Sequence, residues 1–152
     1  MGPARVQETA FSIILARTQG RRSFHIFWTQ QKNMWSLGKR TASVFEAHLT
    51  KATIHFSSME IADYFCYVLG SDSVTKHKPD PEPVNNILST LRLSPSDALV
   101  VGDMPVDILM ARDASVRSVG VTYGNSSREE LLSAGADYVI DSISELLHIV
   151  ER

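Results

Sequence analysis

The hydrophobic positions in the C-terminal part of the chain follow two alternating patterns. Short apolar runs bounded by turn-forming residues predict buried strands, and apolar residues that recur every three to four positions predict amphipathic helices. The predicted strands are residues 63–69, 98–101, 118–122 and 138–140, and the predicted helices are residues 83–91, 105–114, 128–134 and 143–150. Strands that alternate with helices indicate βαβ units and a mostly parallel, Rossmann-like α/β sheet with helices on both faces.

The N-terminal part has a different pattern. Apolar residues at helical spacing predict a helix over about residues 7–17, and a second such set predicts a helix over residues 41–52. Between them, a dense aromatic run at residues 24–28 predicts a buried strand that ends at Thr29. Ligands of parallel sheets bind beyond the carboxyl ends of the strands, so Thr29 and Asp103 are expected at one edge.

Composition excludes several classes of partner. A length of 152 residues suits a single domain, and the formal net charge of −2 gives no basic surface for nucleic acid. The one cysteine, Cys66, cannot form an internal disulfide, which favours a reducing, cytoplasmic location. The apolar stretch at residues 10–16 is too short to span a membrane, so we predict no membrane partner.

Two aspartates follow the strand predicted at residues 98–101. Gly102 lets the backbone approach a ligand closely, Asp103 leaves the strand end, and Asp107 lies one helical turn further on. Paired carboxylates at such a position suit a hard cation, so we predict that both are Mg²⁺ ligands. The alternative is that Asp103 only caps the following helix.

Lys78 is the second candidate for chemistry. Pro79 restricts the backbone of the residue before it, which lowers the entropic cost of holding a long side chain in place. A lysine held in this way suits a phosphoryl group or an attacking carboxylate. The alternative is an ordinary surface lysine in a proline-rich loop.

These features, in this order, resemble the haloacid dehalogenase superfamily, and in particular its phosphoglycolate phosphatase-like branch. The segments that carry the resemblance are residues 64–65, 70–72, 78–81, 101–103 with Asp107, 119–124 and 135–140. We therefore expect one core domain over residues 1–152, divergent over 1–62 and well matched over 63–150, with no cap domain.

The resemblance implies Mg²⁺-dependent hydrolysis of a small phosphate monoester through an aspartyl-phosphate. It implies that Lys78 steadies the nucleophile and the phosphoryl oxygens, and that Asp103 and Asp107 bind the metal. The family also has a Ser or Thr at the end of its second strand that contacts the phosphoryl group. Thr29 is our assignment for that hydroxyl, and Ser36 is the rival.

The chain departs from the family at the nucleophile, which is the first Asp of an Asp-x-Asp pair after the first strand. No Asp-x-Asp occurs in these 152 residues, so we expect little or no phosphatase turnover and weak Mg²⁺ binding. We interpret the chain as beginning near the helix before the second strand. It would then lack the central strand, and the two neighbours of that strand would either pair directly or have unpaired edges, which favour self-association. Two alternatives remain. One is a non-catalytic phosphate-binding or interaction module, and the other is an enzyme whose nucleophile comes from a second chain or from an unusual residue, of which Asp72 is the nearest substitute.

Overall fold

The computed structural model describes residues 11–16, 41–45, 67–69 and 71–150. Six strands and four α-helices lie in these ranges. The strands are β1 (Phe11–Ala16), β2 (Thr41–Phe45), β3 (Tyr67–Leu69), β4 (Ala98–Gly102), β5 (Arg117–Val121) and β6 (Tyr138–Ile140). The helices are α1 (Glu82–Leu91), α2 (Pro105–Asp113), α3 (Arg128–Ser133) and α4 (Leu146–Val150), and short 3-10 turns lie at Ser71–Ser73, Pro95–Asp97 and Ile143–Glu145.

The six strands form one sheet in the order β3-β2-β1-β4-β5-β6. Strand β2 is parallel to β3, and β4, β5 and β6 are parallel to one another. Strand β1 is antiparallel to both of its neighbours, with Ile13 opposite Val101 and Ser43. The prediction of a mostly parallel α/β sheet is therefore confirmed, with one reversed strand at its centre.

The structure corrects the prediction of a helix over residues 7–17, because β1 occupies Phe11–Ala16. The sequence of β1 fits both periodicities, and its six residues are mostly bulky and apolar. Pairing with β2 on one side and β4 on the other satisfies its backbone groups, so tertiary context outweighs the helical spacing.

The predicted helix over residues 41–52 is also wrong in its first part, since Thr41–Phe45 forms β2. This segment contains a threonine and a valine, whose branched side chains favour extended backbone. The rest of that prediction, and the strand at residues 24–28 with Thr29, lie outside the described residues.

The central gap expected in the sheet is filled. Strand β1 pairs with β2 over Phe11 to Leu15 and with β4 over Ile13 to Ala16. The edge of β4 that was expected to be unpaired is thus paired with β1, and the strand predicted at residues 24–28 on the other side of the gap lies outside the described residues. Self-association stays a prediction, and among the described strands the outermost ones are β3 and β6.

The helices and strands within residues 71–150 begin and end within about one residue of the predicted positions, except that the last helix begins at Leu146 and not at residue 143. Every residue of β4 is buried, as expected for a strand covered on both faces. One face packs Ala98 and Val100 of β4 against α1 and α2, through buried residues such as Ile87 and Met110. The opposite face packs Leu99 and Val101 with residues of β5, β6 and α4. Helices therefore cover both faces of this half of the sheet.

Among the helices of the described part, none combines the length and the apolarity that a membrane crossing requires.

Candidate functional site

The carboxyl end of β4 places two aspartates at the edge of the sheet. The strand ends at Gly102, Asp103 follows it, and α2 begins two residues later at Pro105. Asp107 caps α2, since its Oδ2 accepts a hydrogen bond from the backbone N–H of Met104 at 3.1 Å. The N-cap position that we considered for Asp103 is occupied by Met104, and Asp107 in the first turn of α2 supplies the capping carboxylate.

Gly102 is required by the packing of Asp107. A Cβ atom added at Gly102 would lie 2.5 Å from Cγ of Asp107, which is far inside van der Waals contact. The absence of a side chain therefore lets the first turn of α2 pack directly against the end of β4. Asp107 is 1% exposed in this position.

Lys78 and Asp107 form a buried ion pair. The Nζ atom of Lys78 lies 2.9 Å from Oδ1 of Asp107, and the two side chains are 5% and 2% exposed. Burial excludes the alternative of an ordinary surface lysine. Because Asp107 also touches the end of β4, the pair fixes the lysine ammonium at the carboxyl edge of the sheet, where ligands of parallel sheets bind.

Asp103 is held by the loop that follows β5. Its Oδ2 accepts hydrogen bonds from the backbone N–H of Asn125 at 2.9 Å and from Nδ2 of Asn125 at 2.7 Å. A Cβ atom at Gly124 would lie 2.7 Å from Cγ of Asp103, so this loop also needs a glycine. Sequence reasoning missed Asn125. Its signal was its place in the loop after β5, at the same sheet edge.

The same loop is anchored at both ends. Thr122 donates its hydroxyl to Oδ1 of Asp141 at 2.6 Å, and an Nη of Arg128 lies 2.8 Å from Oδ2 of the same carboxylate. The hydroxyl of Thr122 and the guanidinium of Arg128 lower the pKa of Asp141. The loop is thus tied to the end of β6, which restricts the movement of Asn125.

Tyr123 lies beside Asp103 and is partly buried. Burial raises the pKa of its phenol well above 10, and the negative charge of Asp103 raises it further. The phenol therefore stays neutral at any physiological pH.

The fit of Mg²⁺ to this edge depends mainly on Asp103. Within the described ranges, no group of three or more His, Cys, Asp or Glu residues could hold a metal. Mg²⁺ commonly binds one or two carboxylates and completes its shell with water and phosphate oxygens, so Asp103 with its hard oxygens fits. Asp107 as a ligand stays a prediction, because Lys78 and the N–H of Met104 already contact its two oxygens.

The structure thus brings Lys78 and Asp107 into contact, and places Asp103 at the same strand end. Thr29 and Ser36, the two candidates for the phosphate-contacting hydroxyl, lie outside the described residues. The described residues thus form an α/β sheet with a buried lysine–carboxylate pair and a second aspartate at its carboxyl edge, where ligands of such sheets generally bind.

Comparison with known proteins identifies the family. The model of the haloacid dehalogenase-like hydrolases matches residues 44–121, which is 78 of the 152 residues. The chain therefore belongs to the haloacid dehalogenase-like hydrolase family. The match includes Lys78, Asp103 and Asp107, and it ends before Asn125.

Individual relatives agree with this assignment. The chain is 41% identical over 90 residues to phosphoglycolate phosphatase of Vibrio vulnificus, a match that covers 59% of the chain and 40% of the relative. It is 40% identical over 94 residues to the PpaX protein of Clostridium perfringens, covering 62% of the chain and 44% of the relative. The structure of a predicted phosphoglycolate phosphatase from Haemophilus somnus superposes with a TM-score of 0.63 at 28% identity, covering 70% of this chain and 48% of that one. The chain spans less than half the length of these three proteins.

Proposed function

We propose that this chain binds the phosphate group of a small phosphorylated molecule at the carboxyl end of β4, and that it does not hydrolyse the ester on its own. The observation that carries the proposal is the buried pair of Lys78 and Asp107, with its 2.9 Å separation, beside Asp103. A cation held by a buried partner is already ordered before a ligand arrives, which reduces the entropic cost of binding.

Each site residue has a proposed role. Lys78 contacts the phosphoryl oxygens, Asp107 orients Lys78, and Asp103 provides a ligand for Mg²⁺. Asp107 remains a candidate second ligand, and Thr29, or else Ser36, supplies the hydroxyl. When bound, Mg²⁺ would neutralise negative charge on the phosphoryl oxygens.

The lack of turnover rests on two features of the chain. No Asp-x-Asp pair occurs in its 152 residues, so the carboxylate that attacks phosphorus in this family has no counterpart. The reversed direction of β1 supports the same conclusion. Ala16, its last residue, pairs with Ala98 at the amino end of β4, so β1 ends at the sheet edge opposite Asp103.

Residues 1–152 belong to one core domain in this proposal, and the protein is cytoplasmic. The phosphorylated ligand is inferred from relatives named as phosphoglycolate phosphatases. This proposal agrees with the alternative of a non-catalytic phosphate-binding or interaction module, since such a module keeps Lys78 and needs no nucleophile.

Titration with inorganic phosphate in the presence of Mg²⁺ tests the binding site. The informative variant is the pair Lys78→Met with Asp107→Leu, which removes both charges and fills the space with apolar side chains of similar size. Lys76→Met is the matched control, because Lys76 belongs to the same loop and its side chain is 70% exposed. We expect phosphate binding to be lost in the double variant and retained in the control. Equal binding by the double variant and the unaltered chain would contradict the proposal.

A further inference from the structure

A buried lysine needs a loop that holds its backbone in place. Lys78 lies between the 3-10 turn at Ser71–Ser73 and the first residue of α1, in a segment without regular secondary structure. Fixing the long side chain of a lysine costs more rotamer entropy than fixing almost any other side chain. The contacts that order this segment therefore help to decide whether Lys78 Nζ stays against Asp107.

Glu82, the first residue of α1, supplies most of those contacts. Its Oε1 accepts the backbone N–H of Thr75 at 2.8 Å, and its Oε2 accepts the hydroxyl of Thr75 at 2.8 Å and the backbone N–H of Lys76 at 3.0 Å. Hydrogen bonds from Thr75 and Lys76 lower the pKa of Glu82. One carboxylate thus closes the segment from Thr75 to Glu82, with Lys78 inside it.

A second set of bonds fixes the segment on the other side of Lys78. The backbone N–H of Asp80 donates to the carbonyl of His77 at 2.9 Å, and Oδ1 of Asp80 accepts the N–H of Glu82 at 2.9 Å. Glu82 is therefore hydrogen-bonded on both sides of Lys78, to Thr75 and Lys76 before it and to Asp80 after it.

We propose that Glu82 is a positioning residue, whose carboxylate closes the loop over Thr75 and Lys76 and so holds Lys78 against Asp107. This inference rests on the proposed function, because it takes Lys78 to be the phosphate-binding cation. Glu82 itself touches neither Lys78 nor the phosphate in this proposal.

A simpler role for Glu82 is stabilisation of the amino end of α1, where acidic residues are generally favourable. The contacts argue for more than that role. The side-chain oxygens of Glu82 are bonded to Thr75 and Lys76, outside the helix, and are therefore committed to the loop. A carboxylate that acted through the helix dipole alone would not need these partners.

The test uses Glu82→Gln, which keeps the shape of the side chain but replaces one acceptor oxygen by an NH₂ group that cannot accept the loop N–H. Thr75→Val is the milder second variant, because it removes the hydroxyl bonds and keeps the backbone ones. The matched control is Asp97→Asn. Asp97 accepts bonds from the N–H and hydroxyl of Ser94 at the amino end of β4, away from Lys78.

Three readouts are compared in the full chain, namely thermal stability, the ammonium NMR signal of Lys78 and the dissociation constant for inorganic phosphate. The signal of Lys78 is identified as the one that is absent from the spectrum of the double variant Lys78→Met with Asp107→Leu. For Glu82→Gln we expect a shifted or exchange-broadened Lys78 signal and phosphate binding weaker by roughly threefold to tenfold. For Thr75→Val we expect a smaller change in the Lys78 signal, and phosphate binding weaker by about twofold. Asp97→Asn should lower thermal stability without changing either of the other readouts.

The two proposals fail in different ways. An unchanged Lys78 signal and unchanged phosphate binding in both Glu82→Gln and Thr75→Val would overturn the positioning role. A shifted Lys78 signal in a chain whose phosphate binding does not depend on Lys78 would support positioning by Glu82 and contradict the proposed function. If Glu82→Gln does not fold, the Lys78 signal and phosphate affinity of Thr75→Val decide the matter.

Discussion

Replacing Asp107 by Asn tests whether the buried ion pair determines the structure of the site. The variant removes the negative charge that faces Lys78 Nζ at 2.9 Å, in a place where the two side chains are 5% and 2% exposed. An asparagine keeps a side-chain oxygen for the N–H of Met104, so the cap of α2 is retained. The cap is thus kept, while the ammonium of Lys78 stays buried and loses the negative charge of Asp107.

The expected cost is about 3–5 kcal/mol, the range for breaking a buried pair by removing one partner. In a domain of this size, that corresponds to a fall in Tm of roughly 6–20 °C. The free energy of unfolding is measured by urea titration followed by circular dichroism. The double variant Lys78→Met with Asp107→Asn should recover most of the loss, because it removes the buried ammonium as well and keeps the acceptor for the N–H of Met104.

An exposed pair in the same protein is the control. Arg112 Nε and Asp113 Oδ1 are also 2.9 Å apart, but their side chains are 61% and 46% exposed. Asp113→Asn should therefore cost less than about 1 kcal/mol. If Asp107→Asn cost as little as Asp113→Asn, or if the double variant were no more stable than Asp107→Asn, the reasoning from burial would be refuted.

Further predictions concern glycine positions and Tyr123. Gly102→Ala should cost about 3 kcal/mol or more, because the new Cβ would overlap Asp107, whereas Gly135→Ala, which has open space but a φ of +92°, should cost about 1 kcal/mol from backbone strain. Urea titration measures both costs, and equal values would contradict the packing of Gly102 against Asp107. The pKa of the Tyr123 phenol is raised in the folded state, so the phenol loses its proton at lower pH in the unfolded chain than in the folded one. The free energy of unfolding should therefore fall as pH rises above 10. Tyr123→Phe should weaken that fall in alkaline urea titrations, and an unchanged slope would contradict the buried phenol.

The C-terminal half of the fold could be predicted because local patterns and tertiary packing agree there. Strand β4 is a short apolar run between a Ser-Pro turn and a glycine, and its residues are buried on both faces. Helix α3 begins at a Ser127–Glu130 capping box that the sequence displays directly. The ends of the helices and strands in this half are therefore determined by residues that lie next to those ends in the sequence.

The N-terminal strands could not be predicted because their state depends on distant partners. Phe11–Ala16 has apolar residues that fit a helix, and its strand state follows from pairing with β2 and β4, which are remote in sequence. Thr41–Phe45 likewise acquires its partners only when the sheet forms. The local signals in these segments fit a helix as well as a strand, and the pairing that decides between them is non-local.

The site was predictable only in part. Gly102 and Asp103 after an apolar run, and Lys78 before a proline, pointed to residues that the structure places at the carboxyl edge of the sheet, and their roles stay predictions. The sequence did not show that Asp107 contacts Lys78, because that contact joins residues 29 positions apart across two elements. Asn125 and Glu82 were missed since their roles are hydrogen bonds to Asp103 and to the loop of Lys78, and polar residues in loops are common.

We propose that this chain binds phosphate without the nucleophile that would make it a phosphatase. The most direct test is hydrolysis of an aryl phosphate by the purified chain with Mg²⁺, with Asp103→Ala measured in parallel to detect contaminating phosphatase. We predict the same background rate for both proteins. A rate that clearly exceeds that of Asp103→Ala would show that the chain contains a nucleophile, and it would contradict the account.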